Sequence, residues 1–465
     1  MEWWLYSKQK DADVKMPTLA IAAVYLVAIV VGIILEIFNW PQDKHVTLFF
    51  FLPSVILPLS LVTCLVFALK MIVSTFVNYA EMRKYIANDR TIGLKIFARR
   101  NIAIAAWSTL SPVNQLALNM LKLEGEFPLA PKTPLKIKAT EAFDQTPYEA
   151  VFSRLLAPMA DKLKMSAYQL RETCVWVRGG DANCVEDLRR AMERLKIHPA
   201  RGGKIEFYSE CPDYTIIGKW IAASDTYIVN RLLIAVDLHG EDSDCKRMEN
   251  ACSFLFTNQY KHVEGEKPVY LYQPMSQVTD VEETMPVYLD VGPVTAPKTL
   301  WYTGLSRTEK YPLMQALDAK SVAMQRLEME SSLGEKSEGY RWLALALAAD
   351  AVKYAQGTQL VANSEMNKFS ITALSSHETH VPETCRWDVW ILPFVNGVMM
   401  GLFLLFSLFL IMIITNKPGE MPSITVIWAS SMLSVLVPAA TGAFLSITSS
   451  NRAGRDMGCQ REKTH

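Results

Sequence analysis

The sequence has no surplus of either charge. Its 465 residues include 47 lysines and arginines and 47 aspartates and glutamates, which gives a formal net charge of zero. Binding to the phosphate backbone of a nucleic acid needs a basic surplus, because the attraction is electrostatic. We therefore expect no nucleic-acid partner.

Charged residues are also few, at 20% of the chain, and four long runs contain none. The runs are 16–35, 46–69, 389–416 and 421–451. About 20 apolar residues are needed to cross a hydrocarbon core ~30 Å thick. Backbone polar groups in lipid must be paired within the segment, so each run should be a helix. The sequence predicts two transmembrane hairpins, with spans at 18–38, 46–73, 390–415 and 423–447.

Lysines and arginines are distributed unevenly around these spans. The short links inside the two hairpins hold only Lys44 and Lys417. Basic residues are enriched on the cytoplasmic side of a membrane protein. We therefore expect both termini and the middle of the chain to lie in the cytoplasm, at a bacterial inner membrane. The basic flanks are formed by Lys8, Lys10 and Lys15, by Lys70, Arg83, Lys84, Arg90, Lys95, Arg99 and Arg100, and by Arg452, Arg455, Arg461 and Lys463.

A further run, 101–121, is uncharged but rich in asparagine, glutamine and hydroxyl side chains. Its polarity favours a buried or interfacial helix leading into a strand. The alternative is a fifth span, which would put the middle of the chain in the periplasm. The eight cysteines include no CxxC pair, and isolated thiols suit a reducing compartment, which favours the cytoplasmic placement.

The middle of the chain has ordinary globular composition. The domains we predict are an N-terminal segment (1–17), a hairpin (18–75), a juxtamembrane helical linker (76–114), an α/β domain (115–386), a second hairpin (387–450) and a basic tail (451–465). Alternating strands and helices indicate a covered sheet. Expected strands are 117–124, 135–140, 173–178, 204–208, 231–238, 269–273, 286–291, 359–361 and 369–373. Expected helices are 147–163, 185–195, 214–224, 245–258, 306–325 and 340–355.

Several motifs of known chemistry are missing. Arg178-Gly-Gly-Asp181 and Arg201-Gly-Gly-Lys204 do not fit the phosphate-binding GxxxxGK[ST] pattern, so they should be turns. His377, His380 and Cys385 are close in sequence, but no second cysteine stands at zinc-ligand spacing, and a polar loop is expected. Glu36 lies near the end of the first span, and His262 lies in a charged loop. We predict no metal and no cofactor.

The segment 211–256 resembles part of the thiolase fold as it occurs in β-ketoacyl synthases. Cys211-Pro-Asp-Tyr begins a predicted helix, and a buried strand at 232–237 follows at the expected spacing. Later, the glycine-containing segment 333–339 leads into the alanine-rich helix 340–355, and 369–374 stands where the closing strand would be. The resemblance covers about 200 residues and implies a membrane-anchored α/β fold in which helical hairpins flank a thiolase-like domain.

The resemblance implies Cys211 as the candidate nucleophile. The synthases pair this cysteine with two histidines, or with a histidine and an asparagine, which activate the thiol and stabilise the oxyanion. No histidine lies between His262 and His377, and neither 300–306 nor the region of Lys336 supplies one. A helix N-terminus would favour the thiolate of Cys211, whereas Asp213 would oppose it.

A thiolase-like chain without the catalytic histidines is similar to accessory proteins found with type VI secretion effector clusters. The resemblance implies an adaptor whose partner is a secretion effector or a component of the secretion apparatus, besides the lipid bilayer and a possible second copy of the chain. Two alternatives stay open. One is a membrane-associated acyl-transfer enzyme that uses Cys211. The other is a membrane-resident immunity protein.

Overall fold

The computed structural model describes residues 2–12, 14–41, 45–126, 135–137, 144–223, 227–239, 246–259, 268–294, 296–320, 323–379, 391–415 and 423–463. It forms two compact units. A helical unit comprises Leu5–Ile92 and Glu383–His465, and an α/β unit comprises Met1–Trp4 and Gly93–Pro382.

The strands and helices have the following bounds. The strands are β1 (Asn101–Leu110), β2 (Leu170–Val177), β3 (Lys204–Tyr208), β4 (Asn230–Asp237), β5 (Asn250–Thr257), β6 (Val269–Tyr272), β7 (Met275–Val278), β8 (Thr299–Thr303), β9 (Gln325–Glu328), β10 (Gln359–Glu365) and β11 (Lys368–Ser375). The helices are α1 (Thr18–Asn39), α2 (Leu48–Phe51), α3 (Leu57–Ala98), α4 (Leu116–Met120), α5 (Pro147–Leu156), α6 (Ala160–Lys164), α7 (Cys184–Arg194), α8 (Thr215–Ala222), α9 (Val281–Val291), α10 (Arg307–Ala319), α11 (Met329–Leu333), α12 (Tyr340–Lys353), α13 (Leu392–Thr415) and α14 (Ile424–Lys463).

Within the described residues, four helical segments are long and apolar enough to cross a membrane. They are Thr18–Asn39, Leu48–Ala98, Leu392–Thr415 and Ile424–Cys459. All four coincide with the predicted spans, and the second and fourth continue well beyond them. One π-helical turn, Leu52–Ile56, joins α2 to α3. Pro53 lies in this turn, and proline removes a backbone donor, which accounts for the local irregularity.

Small residues bring α13 and α14 together in the helical unit. A Cβ atom on Gly401 would lie 2.8 Å from the Cα of Val435, and one on Gly397 would lie 2.3 Å from the carbonyl oxygen of Pro438. Small residues of this kind let the backbones of two helices approach closely. The Ser407 hydroxyl of α13 donates to the Ser60 hydroxyl of α3 at 2.8 Å, which adds a polar contact between these two helices.

The α/β unit contains one sheet with an internal repeat. The strand order is β3-β2-β4-β5-β1-β6-β11-β10-β8-β9, and β7 pairs with β11 beside this path. In the first half, β2 is parallel to β3 and β4, and β5 is antiparallel to β4 and β1. In the second half, β8 is parallel to β9 and β10, and β11 is antiparallel to β10 and β6. The two halves therefore have the same topology, and β1 and β6 join them antiparallel.

Three hydrophobic clusters show how helices cover this sheet. Residues of α5, α6 and α7 pack on the outer face of the first half. Residues of α9 and α10 pack on the outer face of the second half. The inner faces of both halves meet a single cluster that holds α4, α8, α11 and α12. The order is helices, sheet, helices, sheet, helices, so the unit has five layers.

Helix α12 is the centre of the middle layer. All of its residues are buried except Asp350 and Lys353. A helix that is apolar around its whole circumference belongs in the interior of a large domain. The alanines of α12 keep it thin, which allows both half-sheets to approach it closely.

The segment 101–121 is where the sequence-based prediction is wrong. It contains strand β1, followed by the short helix α4, and not a helix followed by a strand. Strand β1 pairs with β5 on one side and β6 on the other. A central strand whose two faces are both covered contains no charged residues, and neither does a helix in an apolar environment. The absence of charge in this segment therefore does not distinguish the two structures.

Three further predicted elements are wrong. The expected helix at 245–258 is strand β5, which is buried along its whole length, because a short apolar run fits both structures. The expected strand at 286–291 belongs to α9, which begins earlier, where the Asp280 carboxylate accepts from the Glu283 N–H at 3.0 Å. The expected strand at 117–124 overlaps α4. Of the expected strand at 135–140, residues 135–137 are not in a strand and the rest lie outside the described residues.

The buried N-terminus of α12 is satisfied by one carboxylate. Asp237, 1% exposed at the end of β4, accepts from the Gly339 N–H at 3.3 Å and from the Ser337 hydroxyl. The Arg178 guanidinium pairs with the same carboxylate, with Nε at 2.5 Å from Oδ1. Gly339 is required here, because a Cβ atom would lie 2.7 Å from the Cβ of Asp237.

We expect Asp237→Ala to lower the free energy of unfolding by about 3 kcal/mol, because it removes the nearest countercharge of Arg178 and the acceptor of the Gly339 N–H. The measurement is thermal and denaturant unfolding of the full chain in detergent, followed by tryptophan fluorescence. Asp290→Ala is the matched control, since Asp290 pairs with Lys320 at a half-exposed position. It should cost no more than about 1 kcal/mol. Equal losses in both variants would contradict this role of Asp237.

Candidate functional site

The candidate site is a cavity of about 690 Å³ in the α/β unit, with Cys211 in its wall. Its floor is formed by buried side chains of α8, α12 and the β10–β11 hairpin, including Ile216, Trp220, Arg341 and Ser370. Exposed side chains such as Lys219 and Met366 stand at its rim. Helix α8 lies more than 100 residues before α12 and the β10–β11 hairpin in the chain, so only the fold brings these elements together.

Cys211 lies four residues before the first residue of α8 and is 8% exposed. Its thiol donates to the carbonyl oxygen of Glu338, with Sγ and O at 3.5 Å. Glu338 itself stands two residues before α12. The sulfur is therefore held between the segments that lead into α8 and α12, two of the helices of the middle layer.

Burial raises the pKa of the Cys211 thiol to about 12. The positive charge of Arg341 lowers this pKa, and the carboxylates of Glu338 and Asp237 raise it. The thiol is consequently protonated at neutral pH, and it is the thiolate that acts as a nucleophile. The catalytic role predicted for Cys211 stays a prediction, and the resting geometry does not activate the sulfur.

The N-terminus of α8 adds little to the stability of a thiolate. The Asp213 carboxylate accepts from the Thr215 N–H at 3.1 Å and also from the Thr215 hydroxyl. The Gln277 side chain donates to the other oxygen of Asp213 at 3.1 Å. A carboxylate of the chain itself thus occupies the place where the helix would favour an anion.

Arg341 holds the two middle helices together at the cavity. It is 3% exposed, and its Nη1 donates to the carbonyl oxygens of Cys211 at 3.2 Å and Pro212 at 3.3 Å. Its Nη2 pairs with the carboxylate of Glu365. The Trp342 indole also donates to the Pro212 carbonyl, at 3.0 Å. Sequence reasoning missed Arg341, although an arginine inside an alanine-rich apolar helix was a signal for a buried partner.

No described residue that lines this cavity is a histidine. The family resemblance would place one in the segment 300–306 or near Lys336, but residues 304–306 and Lys336 line a second cavity of about 380 Å³ instead. His239 is fully buried at the end of β4, 3.7 Å from a carboxylate oxygen of Glu249, and does not line the Cys211 cavity. The sequence has no histidine at the positions where the synthases have one, and the described wall of the cavity contains none either.

The other candidate residues are dispersed. Gly179 and Gly202 have φ values of +67° and +82°, so both Arg-Gly-Gly segments are turns, as predicted. In the described part of the chain, no group of three or more potential metal ligands forms. The carbonyl oxygen of His377 accepts from the Tyr272 hydroxyl at 2.5 Å. His262, His380 and Cys385 lie outside the described residues.

Comparison with known proteins finds similarity only at the level of three-dimensional structure. No protein-family model matches the chain. No curated protein matches it either. Similar solved structures include a type II polyketide ketosynthase in complex with its acyl-carrier protein, at 9% identity and a TM-score of 0.45, covering 60% of this chain and 100% of that chain. The 3-oxoacyl-[acyl-carrier-protein] synthase III of Aquifex aeolicus is 12% identical, with a TM-score of 0.37 and coverage of 59% and 99%. That of Pseudomonas aeruginosa is 14% identical, with a TM-score of 0.35 and coverage of 61% and 100%.

The topology of the chain itself defines the fold class. Two halves of identical strand order enclose a layer of central helices, and a cysteine stands at the start of one of these helices. The α/β unit is thiolase-like, and helices long and apolar enough to span a membrane flank it in sequence at both ends.

We expect alkylation of Cys211 by iodoacetamide to be slow at neutral pH and to accelerate about tenfold per pH unit toward pH 12, because the thiolate fraction rises by that factor. Glu338→Gln should lower the pKa and speed the reaction by up to about tenfold, since it removes a negative charge that opposes the thiolate. The measurement is mass spectrometry of the Cys211 peptide from the folded full chain.

Two controls accompany this experiment. Glu335→Gln changes an exposed carboxylate of the same segment and should leave the rate unchanged. Cys174, which is 1% exposed, reports any general unfolding. A rate in Glu338→Gln equal to or below that of the unmodified chain would show that the pKa of Cys211 is not set in this way.

Proposed function

We propose that this protein is a membrane-anchored, non-condensing member of the thiolase-like architecture that acts by binding a protein partner. The single observation behind this is the state of Cys211. Its thiol is buried and protonated, and no histidine lines the described wall of its cavity. Nucleophilic catalysis needs an adjacent base or a lowered pKa, and the fold is retained here without either.

The partner we propose is a secretion effector or a component of a type VI secretion apparatus. The support is the combination of a synthase-like architecture with the lost catalytic set, which is similar to accessory proteins of effector clusters. The apolar helices would hold the α/β unit at the membrane, where secretion assemblies are built. Such a role requires a stable surface and does not require a reactive thiol.

The location we propose is the bacterial inner membrane, with the α/β unit in the cytoplasm. The support is the distribution of basic residues around the four apolar helices, which follows the enrichment of lysine and arginine on the cytoplasmic side. The described thiols of the α/β unit, Cys174, Cys184, Cys211 and Cys252, are buried and form no disulfide, which is compatible with a reducing compartment.

We expect Cys211→Ala to leave the function intact. In a deletion strain, secretion of the effectors encoded in the same cluster should fall. The unmodified chain and Cys211→Ala should restore it to the same level, because partner binding does not use a thiolate. The measurement is the amount of each effector in the culture supernatant, together with its copurification with the tagged full-length chain. Cys184→Ala, which removes a buried thiol outside the cavity, is the matched control.

Two results would contradict the proposal. Copurification that recovers no effector and no secretion component would exclude the adaptor role. Restoration by Cys184→Ala but not by Cys211→Ala would favour the acyl-transfer alternative, which the position of Cys211 in a cavity wall keeps open. That alternative also predicts an acyl label on the chain that Cys211→Ser removes. Sensitivity of the deletion strain to a neighbouring toxin producer would favour an immunity protein.

The proposed topology predicts the behaviour of reporter fusions. Alkaline phosphatase fused after Pro41 should be active, because that link would face the periplasm. Fusions after Thr379 and after His465 should be inactive, and green fluorescent protein at the same two positions should fluoresce. The measurement is enzyme activity and fluorescence normalised to the amount of each fusion. An active phosphatase after Thr379 would place the α/β unit outside the cytoplasm.

A further inference from the structure

One buried side-chain oxygen in the described wall of the cavity has no hydrogen-bond partner. Asn363 is 3% exposed, its Oδ1 is buried and unbonded, and the side chain lines the cavity beside Cys211. Leaving such an oxygen without a donor in a folded interior costs free energy, because the atom loses its bonds to water. A buried polar group of this kind needs an explanation.

The strand geometry shows which way Asn363 faces. Along β10, Leu360 and Ala362 belong to the outer cluster and Val361 to the inner one. Side chains alternate between the faces of a strand, so Asn363 lies on the inner face with Val361. The register pairs Asn363 with Ser370 of β11, and Ser370 also lines the cavity. The amide and the hydroxyl are therefore direct cross-strand neighbours on its floor.

Both members of this pair have hydrogen-bonding capacity left. The Ser370 hydroxyl oxygen accepts from the Gln277 N–H at 3.2 Å, and its own proton has no acceptor among the described residues. The Asn363 amide offers one acceptor and two donors, and rotation about its terminal torsion presents either end to the cavity. Together the pair matches a group that carries both a carbonyl oxygen and an N–H.

The charges that line the cavity disfavour an anion. Its described wall contains the carboxylates of Glu172, Glu210, Asp213, Glu338 and Glu365, and the buried cation in that wall, Arg341, is already paired with Glu365. An anion on this floor would lose its hydration without gaining a free countercharge. A cation carries no acceptor for the two N–H donors of the Asn363 amide, so the pair favours a neutral group. A volume of about 690 Å³ lies within the range of small-molecule sites, roughly 300–1,000 Å³.

We propose that the cavity beside Cys211 is a binding site for a ligand with a neutral carboxamide, which the Asn363 amide and the Ser370 hydroxyl hold. The group belongs to a small molecule or to an asparagine or glutamine side chain of a bound polypeptide. This site does not depend on the proposed adaptor function. The buried amide is retained for binding, although a leucine of similar shape would stabilise the fold.

The test uses trifluoroacetamide as the probe and trifluoroacetate as its charged counterpart of nearly the same shape. Both are observed by fluorine NMR with the full chain in detergent. We expect line broadening of the amide in the presence of the protein and at least a fivefold smaller effect on the carboxylate. Asn363→Leu should remove the broadening and raise the midpoint of thermal unfolding. Asn114→Leu, at an exposed asparagine of the same unit, should change neither.

Two comparisons separate the sources of the carboxamide. Competition by acetylglutamine methylamide but not by nicotinamide would assign the group to a polypeptide side chain, and the reverse order would assign it to a small molecule. The proposal is overturned if the unmodified chain does not broaden the trifluoroacetamide line. It is also overturned if Asn363→Leu broadens that line as the unmodified chain does, or if it lowers the midpoint. None of these results bears on copurification of a secretion partner.

Discussion

The burial of helix α12 between two half-sheets is the constraint from which the rest of the α/β unit follows. The N-terminal residues of α12 are buried, so the N–H groups there must find partners inside the protein. Asp237 supplies the acceptor for Gly339, and Arg178 compensates the charge of Asp237. Next along the helix, Arg341 brings a second charge into the interior, and Glu365 balances it. The two ion pairs anchor α12 to the ends of β4 and β10, which belong to different halves of the sheet.

The same burial determines the chemistry of the cavity. Cys211 and Glu338 meet because the two middle helices begin side by side, and the enclosure that stabilises this junction also removes water from the sulfur. Desolvation is the largest cause of the raised pKa of Cys211. In a condensing enzyme, the cost of that enclosure would be offset by groups that stabilise the thiolate. Here the carboxylate of Asp213 caps the adjacent helix, and the described wall of the cavity contains no histidine. The thiolase-like architecture thus encloses a polar cavity in which the described surroundings of Cys211 do not favour its thiolate.

Sequence reasoning was accurate where a pattern is local. Strand β3 occupies the predicted residues, and β2, β4, α7 and α8 differ from prediction by a few residues at their ends. It failed where a local pattern fits two structures. The run in β5 was taken as a helix because buried strands and buried helices are both continuously apolar. The run in β1 was ambiguous for the same reason, since a strand covered on both faces and a helix in an apolar environment each exclude charge. The run 286–291 was expected to be a strand, but it is the second half of α9, which begins where Asp280 caps the helix.

The sequence by itself determined that four segments are apolar helices of membrane-spanning length, that an α/β unit lies between them, and that a helix follows shortly after Cys211. These properties depend on residue types within about 20 positions, and such short windows carry the free energy of transfer out of water. Only the tertiary structure decided what surrounds Cys211 and which way Asn363 faces. The contacts concerned, such as that of Cys211 with Glu338, join residues 127 positions apart. A local sequence pattern does not reveal such a contact. The pKa of a thiol and the hydrogen bonding of a buried amide depend on neighbouring residues that come close only in the folded chain.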